Sequence, residues 1–173
     1  MRLTVQHDTV YDYQPAVEIA QHTAHLQPRE TALQRVRSFV ELAKSDGLPI
    51  AAQGQLVPEA PKGGFYQVPT LIRDVPIEHR IAQEEIFGPV LAISPFDDED
   101  HAIELANGTE YGLAAALWTQ DGGRQLRMAR RLQSGQVFVN NYGAGGGIEL
   151  PFGGVKRSGH GREKGFEALY SFT

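Results

Sequence analysis

Two stretches carry side chains suited to holding a ligand. Residues 83–90 read Gln83-Glu84-Glu85-Ile86-Phe87-Gly88-Pro89-Val90. Residues 151–163 read Pro151-Phe152-Gly153-Gly154-Val155-Lys156-Arg157-Ser158-Gly159-His160-Gly161-Arg162-Glu163. Glu84 and Glu85 are neighbours, so in extended backbone their carboxylates point to opposite sides. They are therefore not a natural acid–base pair. One of them could accept hydrogen bonds from ligand hydroxyls, the alternative being a solvated loop. Phe87, ahead of Gly88-Pro89, fits either a core position or a flat wall for a ring. The 173 residues contain no cysteine, which removes a thiolate nucleophile, disulfides and thiolate metal ligands.

Other constellations are weaker. Gly143, Gly145, Gly146 and Gly147 could cradle a phosphate with backbone N–H groups only if a helix started at once. Ile148-Glu149-Leu150-Pro151 follows instead, and the spacing matches no dinucleotide fingerprint, so a loop bordering a site is the better reading. His7, His22 and His25 do not make a metal set, because a spacing of three puts His22 and His25 on opposite faces of a strand. No metal is expected. Ser158 and His160 sit in no nucleophile-elbow sequence, which argues against a hydrolase triad.

The elements that must position these residues follow from periodicity. In residues 1–33, Leu3, Val5 and His7 alternate with polar neighbours, and Val17 and Ile19 restart the alternation, which predicts two or three strands. Thr31 is the expected cap of a helix starting near Ala32, with the stripe Val36, Phe39, Val40 and Ala43 and a stop at Asp46-Gly47. Short strands are expected near 49–52 and 65–72. From Pro89 onward the order is strand (90–93), helix, strand (113–118), helix, strand (137–140). Acidic residues at Asp97–Asp100 start the first helix, and Ile103 and Ala106 face inward. Asp121 caps the second, which carries Leu126, Ala129 and Leu132. This βαβ order predicts an α/β fold with a mostly parallel sheet flanked by helices, preceded by a short β segment. Ligands in such sheets sit beyond the carboxyl ends of strands.

Composition narrows the function. Hydrophobic residues make up 41% and charged residues 21%, ordinary values for a globular chain. A net charge of −5 weighs against a nucleic-acid partner. No apolar run follows Met1, so neither a signal peptide nor a membrane helix is expected, and the composition fits a cytoplasmic setting.

From about Gln34 to Thr173 the sequence resembles the C-terminal part of an aldehyde dehydrogenase catalytic domain. The resemblance rests on Gly64-Phe65-Tyr66-Gln67-Val68-Pro69-Thr70-Leu71, Glu84-Glu85-Ile86-Phe87-Gly88-Pro89-Val90, Ala106-Asn107, and Tyr111-Gly112-Leu113-Ala114-Ala115. It continues through Trp118-Thr119, Gly135-Gln136-Val137-Phe138-Val139-Asn140 and Pro151-Phe152-Gly153-Gly154, with Lys156, Ser158-Gly159, Gly161-Arg162-Glu163 and Gly165. It implies NAD(P)-dependent oxidation of an aldehyde to a carboxylic acid. It also implies that Glu85 hydrogen-bonds the nicotinamide ribose of NAD or NADP and that Phe87 packs near the nicotinamide. Residues 141–152 would line the aldehyde tunnel, with Asn141, Tyr142, Gly143 and Phe152 as pocket residues.

In that family the dinucleotide domain, the catalytic cysteine, the general-base glutamate and the oxyanion-hole asparagine precede the matched region. A closing strand that helps build oligomers follows it. The expectation is therefore a truncated or fused form, inactive alone and binding its cofactor weakly. The alternatives are a non-catalytic interaction module, self-associating through exposed sheet edges, and one half of a split enzyme. Residues 1–34, through Met1-Arg2-Leu3-Thr4-Val5-Gln6-His7-Asp8-Thr9-Val10-Tyr11-Asp12-Tyr13, Val17, Leu26, Pro28-Arg29 and Gln34, resemble the N-terminal region of bacterial transglutaminase-like proteins. The expected organisation is thus a β-rich segment at 1–34 and a catalytic-domain fragment at 35–173.

Overall fold

The computed structural model describes residues 29–141 and 147–172. The strands expected in the first 28 residues, and His7, His22 and His25, lie outside the described residues. Helix α1 (Arg29–Ser45) buries the expected stripe of Val36, Phe39, Val40 and Ala43. It starts before the expected Ala32, so the boundary drawn at residue 34 falls inside it. The reason is local: proline is tolerated just ahead of a first helical turn, so Pro28 marks a helix start as readily as a strand end. The Leu48 N–H donates to the Ala43 carbonyl (2.8 Å) and the Gly47 N–H to Lys44 (3.2 Å), a Schellman turn that ends the helix.

Against α1 lies a three-stranded sheet of β1 (Ile50–Gln53), β2 (Thr70–Ile72) and β3 (Val90–Ala92). β1 runs antiparallel to β2, and β2 parallel to β3 in the register Thr70↔Val90 to Ile72↔Ala92. The strand expected over 65–72 is only its last three residues, because Pro69 has no N–H to give a ladder. The short helix α2 (Arg80–Gln83) closes one side. Val36, Phe39, Ala43, Ile72, Val75, Ile81 and Ile86 form one buried cluster, which joins α1, this sheet, α2 and the loop after it.

The second part runs α3 (Glu99–Asn107), β4 (Tyr111–Gly112), β5 (Ala114–Leu117), α4 (Gly122–Arg131), β6 (Gln136–Val139) and β7 (Val155–Lys156), then a 3-10 helix at Phe166–Phe172. The expected Asp121 cap forms, its Oδ1 accepting the Arg124 N–H (2.8 Å), and from the acidic run Asp98 caps α3, its Oδ1 accepting the His101 N–H (2.9 Å), whereas Thr31, the expected cap of α1, lies inside that helix. β5 and β6 are parallel in continuous register from Ala114↔Gln136 to Leu117↔Val139, with α4 as the crossover. β4 pairs antiparallel with β7. The architecture is α/β, as expected, but its parallel ladders fall in two separate pairs, β2–β3 and β5–β6. Among the described residues no strand bridges β3 and β5.

That gap bears on one of two departures from expectation: Ala106 borders it, whereas Leu126 does not. Ile103 is buried, but Ala106 is exposed, and Leu126 on α4 is 63% exposed. Helical periodicity names the apolar side of α3 and α4 correctly, but part of that side borders an open groove rather than a core. The two helices are tied instead by charge. Glu99 meets Arg127 (2.9 Å) and Arg124 (3.4 Å), and Asp100 meets Arg131 (2.5 Å). The Arg127 hydrogen bond, against burial and with help from Arg124, holds the Glu99 carboxyl below its ordinary value. No helix among the described residues is long and apolar enough to cross a membrane.

Candidate functional site

The loop 84–90 connects α2 to β3 and is fastened at three points. Ile86 is buried in the main cluster. Gly88 lies so close to α1 that any Cβ there would strike the Val36 side chain, so only glycine lets the loop settle on the helix. Glu84 turns toward two guanidiniums: Arg80 at 2.5 Å through Nε and 3.2 Å through Nη2, and Arg35 at 3.5 Å. Arg35 Nη2 also donates to the Glu85 carbonyl (2.9 Å). Both guanidiniums stack on the buried Phe39 ring, with centroid distances of 5.1 Å for Arg35 and 4.9 Å for Arg80. The hydrogen bond from Arg80 holds the Glu84 carboxyl below the usual carboxylate range; burial opposes this and Arg35 adds to it.

With Glu84 committed inward, Glu85 and Phe87 face out. Glu85 is exposed, and its carboxylate makes no hydrogen bond or ion pair with the described residues. Phe87 is 84% exposed with φ of 57°, the left-handed region that a bulky residue rarely enters. An aromatic ring held in solvent on strained backbone contributes little to the core. The residue pair thus presents a free acceptor and a flat apolar face from a fixed loop.

The second motif region is spent mostly on holding backbone together. Lys156 Nζ donates to the carbonyls of Asn107 (2.8 Å) and Thr109 (3.0 Å). Ser158 Oγ accepts the Gly112 N–H (3.0 Å), so its hydroxyl is a clip between β4 and the turn after β7. Arg162 Nη1 donates to the carbonyls of Gly154 (2.7 Å), Gly161 (3.0 Å) and His160 (3.2 Å). Asn107 bridges Gln133 N–H and Arg131 C=O, and Asn140, at φ of 52°, does the same to both backbone groups of Thr119. Gly135 passes against the Gly153 carbonyl with no room for a Cβ.

Of the expected tunnel residues, Asn141 is exposed, and Tyr142 and Gly143 lie outside the described residues. Phe152 is half-buried. Its backbone exchanges two hydrogen bonds with Glu163 (2.6 and 2.7 Å), and Lys164 Nζ lies 5.7 Å from its ring centroid. No described hydrogen bond or ring contact joins Phe152 to the loop 84–90.

A groove of about 930 Å³ lies between α3 and α4 and is bordered by Ala92, Leu105, Ala116, Leu117, Trp118 and Met128. Sequence periodicity carries no signal for it, because apolar residues facing a groove and facing a core have the same spacing. For a dinucleotide, the described residues suit one end only. The free Glu85 carboxylate and the exposed Phe87 face match a ribose hydroxyl and a planar ring. Gly147, the described end of the glycine-rich segment, leads into a turn rather than a helix, so no helix N-terminus follows there to meet a pyrophosphate.

Comparisons with known proteins show the family of the chain. A family model described as aldehyde dehydrogenase family matches residues 18–173, which places its start ahead of the boundary at 34. NADP/NAD-dependent aldehyde dehydrogenase PuuC of Escherichia coli (strain K12) is 44% identical over 80% of this chain and 27% of its own length. 2-Aminomuconic semialdehyde dehydrogenase of Danio rerio is 40% identical over 82% of this chain and 30% of its own. The chain spans less than a third of the length of the curated relatives it matches. Among solved structures, a Burkholderia cenocepacia protein described as an aldehyde dehydrogenase is 67% identical, with a TM-score of 0.79 over 83% of this chain and 30% of its own. A Mycobacterium tuberculosis aldehyde dehydrogenase complexed with NAD+ is 39% identical, with a TM-score of 0.75 over 83% and 29%.

Two outcomes follow from the loop's anchoring. The Glu84 carboxyl is depressed in the folded state, so its contribution is present at neutral pH and lost as pH falls below about 4. Amide protection of residues 84–88, measured by hydrogen exchange, should drop in that window, and Glu84→Gln should show the drop already at neutral pH. Phe87→Gly removes strained backbone and little buried surface. It should leave the urea midpoint unchanged or raise stability by up to about 1 kcal/mol, where a core phenylalanine would lower it by about 3 kcal/mol or more.

Proposed function

Because the chain belongs to the aldehyde dehydrogenase family, we propose that it supplies one wall of an NAD(P)-dependent aldehyde-oxidising site and cannot run the reaction by itself. The observation that carries this reading is the loop 84–90. Glu84 is consumed by Arg35 and Arg80, which leaves Glu85 and Phe87 presented together and without described partners. Glu85 accepts hydrogen bonds from the hydroxyls of the nicotinamide ribose, and the Phe87 ring sets the plane against which the nicotinamide lies. NAD or NADP, when bound, supplies the hydride acceptor. Asn141, Tyr142, Gly143 and Phe152 form the wall of the aldehyde tunnel; the half-buried Phe152, fixed by its bridge to Glu163, is the rigid part of that wall.

Oxidation through a covalent path needs a nucleophile at the aldehyde carbonyl. These 173 residues contain no cysteine, so a thiolate for that step must come from outside them. Binding of NAD or NADP by this chain is correspondingly weak, since among the described residues only the nicotinamide riboside end finds partners. The substrate class is a small aldehyde, in keeping with relatives described as betaine aldehyde dehydrogenase and 4-trimethylaminobutyraldehyde dehydrogenase. A fusion with a transglutaminase-like segment keeps, at most, residues 1–17 outside the family match.

The test is an absorbance assay of the purified 173-residue chain with NAD+ or NADP+ and betaine aldehyde. The reading requires no reduced cofactor above the buffer rate. Sustained NADH or NADPH formation, retained through a second chromatographic step, would overturn it.

A further inference from the structure

The loop 84–90 belongs to the first part of the molecule and Phe152 to the second, and no described hydrogen bond or ring contact joins them directly. A site built from both walls needs a joint that fixes one against the other. The turn that ends α3, residues 107–109, is gripped from two sides. Gln83, at the end of α2 where the loop starts, donates through Nε2 to the carbonyls of Gly108 (2.9 Å) and Ile77 (2.6 Å). Lys156 Nζ donates to the carbonyls on either side of Gly108, Asn107 (2.8 Å) and Thr109 (3.0 Å). Consecutive carbonyls of one turn are thus held by side chains from both motif regions, the outer ones by Lys156 and the middle one by Gln83.

Carbonyls at a helix C-terminus lack partners inside the helix and carry the negative end of its dipole, so they favour amide and ammonium donors. The Gln83 amide divides its donors between the two parts of the molecule, Ile77 in the first and Gly108 in the second. Gly108 lets the turn close on the first part, because a Cβ there would lie 2.9 Å from Ile77 Cγ1. Lys156 sits at φ of 55°, left-handed backbone that is costly for a long side chain. Its two bonds at Nζ and the pairing of β7 with β4 hold it there. Lys156 also lies between Phe152 and Glu163, whose bridge closes that segment on itself, so the hold on Lys156 is a hold on Phe152.

We propose that Gln83 and Lys156 are positioning residues that set the Glu85–Phe87 wall against the Phe152 wall through the turn 107–109. Neither side chain touches cofactor or aldehyde in this role. Gln83 acts on the loop that begins beside it, and Lys156 acts on the segment that carries Phe152. The inference rests on the reading of these walls as one site, but the joint itself is measured without cofactor or aldehyde.

The 173-residue chain contains no cysteine, so two can be introduced and spin-labelled without background. Nitroxides at Glu85→Cys and His160→Cys, both exposed positions, report the distance between the two walls by double electron–electron resonance. The expected result is one narrow distance distribution whose width roughly doubles in Gln83→Met and in Lys156→Met, because the two parts then move as hinged bodies. The double variant should be no broader than the wider single variant, since both residues act through one turn. Gln83→Lys, which keeps nitrogen donors, should restore the narrow distribution. Lys44→Met, which cuts an exposed ion pair within α1, should leave it unchanged. A broad distribution in the labelled parent chain, an unchanged width in Gln83→Met, equal broadening by Gln83→Lys or Lys44→Met, or additive broadening in the double variant would overturn the proposal. Circular dichroism separates lost register from lost fold; where Lys156→Met does not fold, Gln83→Met against Gln83→Lys decides. Failure of Glu85 and Phe87 to bind a nicotinamide riboside would leave this result unaltered, so the two outcomes are read apart.

Discussion

The candidate site depends on the fastening of one loop to one helix. Phe39 of α1 is fully buried, yet the two guanidiniums that stack on its ring, from Arg35 and Arg80, reach past it to Glu84. Ion pairs of this exposure are individually weak. Their effect here is orientational: the side chain pulled inward is Glu84, so extended backbone turns Glu85 outward. Ile86 in the core and Gly88 against Val36 fix the same loop from its other side. Phe87 is caught between these two anchors, which explains how a bulky residue is held at positive φ without burying its ring.

The second part of the molecule is organised on another basis. Few of its side chains are buried, and its elements are held by side chain-to-backbone clips and helix-to-helix ion pairs. Several residues that looked chemical in the sequence are of this kind. Ser158, Arg162 and Lys156 terminate on backbone groups, so the motif 151–163 contributes shape more than reactive atoms.

Local features were legible in the sequence. The stripe from Val36 to Ala43, the acidic start of α3, the cap Asp121, and the opposition of Glu84 and Glu85 all follow from short-range rules and appear in the structure. What could not be read was decided at long range. The choice between the two glutamates is made chiefly by Arg80, four residues before Glu84, and the long-range part is the placing of α1, whose Arg35 adds to it. Phe87 carries no sequence mark of left-handed backbone, and the exposure of Ala106 depends on what lies across a groove, not on its own spacing.

The central claim is that Glu85 and Phe87 together form a contact for a nicotinamide riboside. The direct measurement is an NMR titration of the isotope-labelled chain with nicotinamide riboside, following backbone amides and the Phe87 ring. The account predicts shifts concentrated at residues 84–88, greatly reduced in Glu85→Gln. No shifts, shifts centred elsewhere, or shifts that Glu85→Gln leaves unchanged would contradict it.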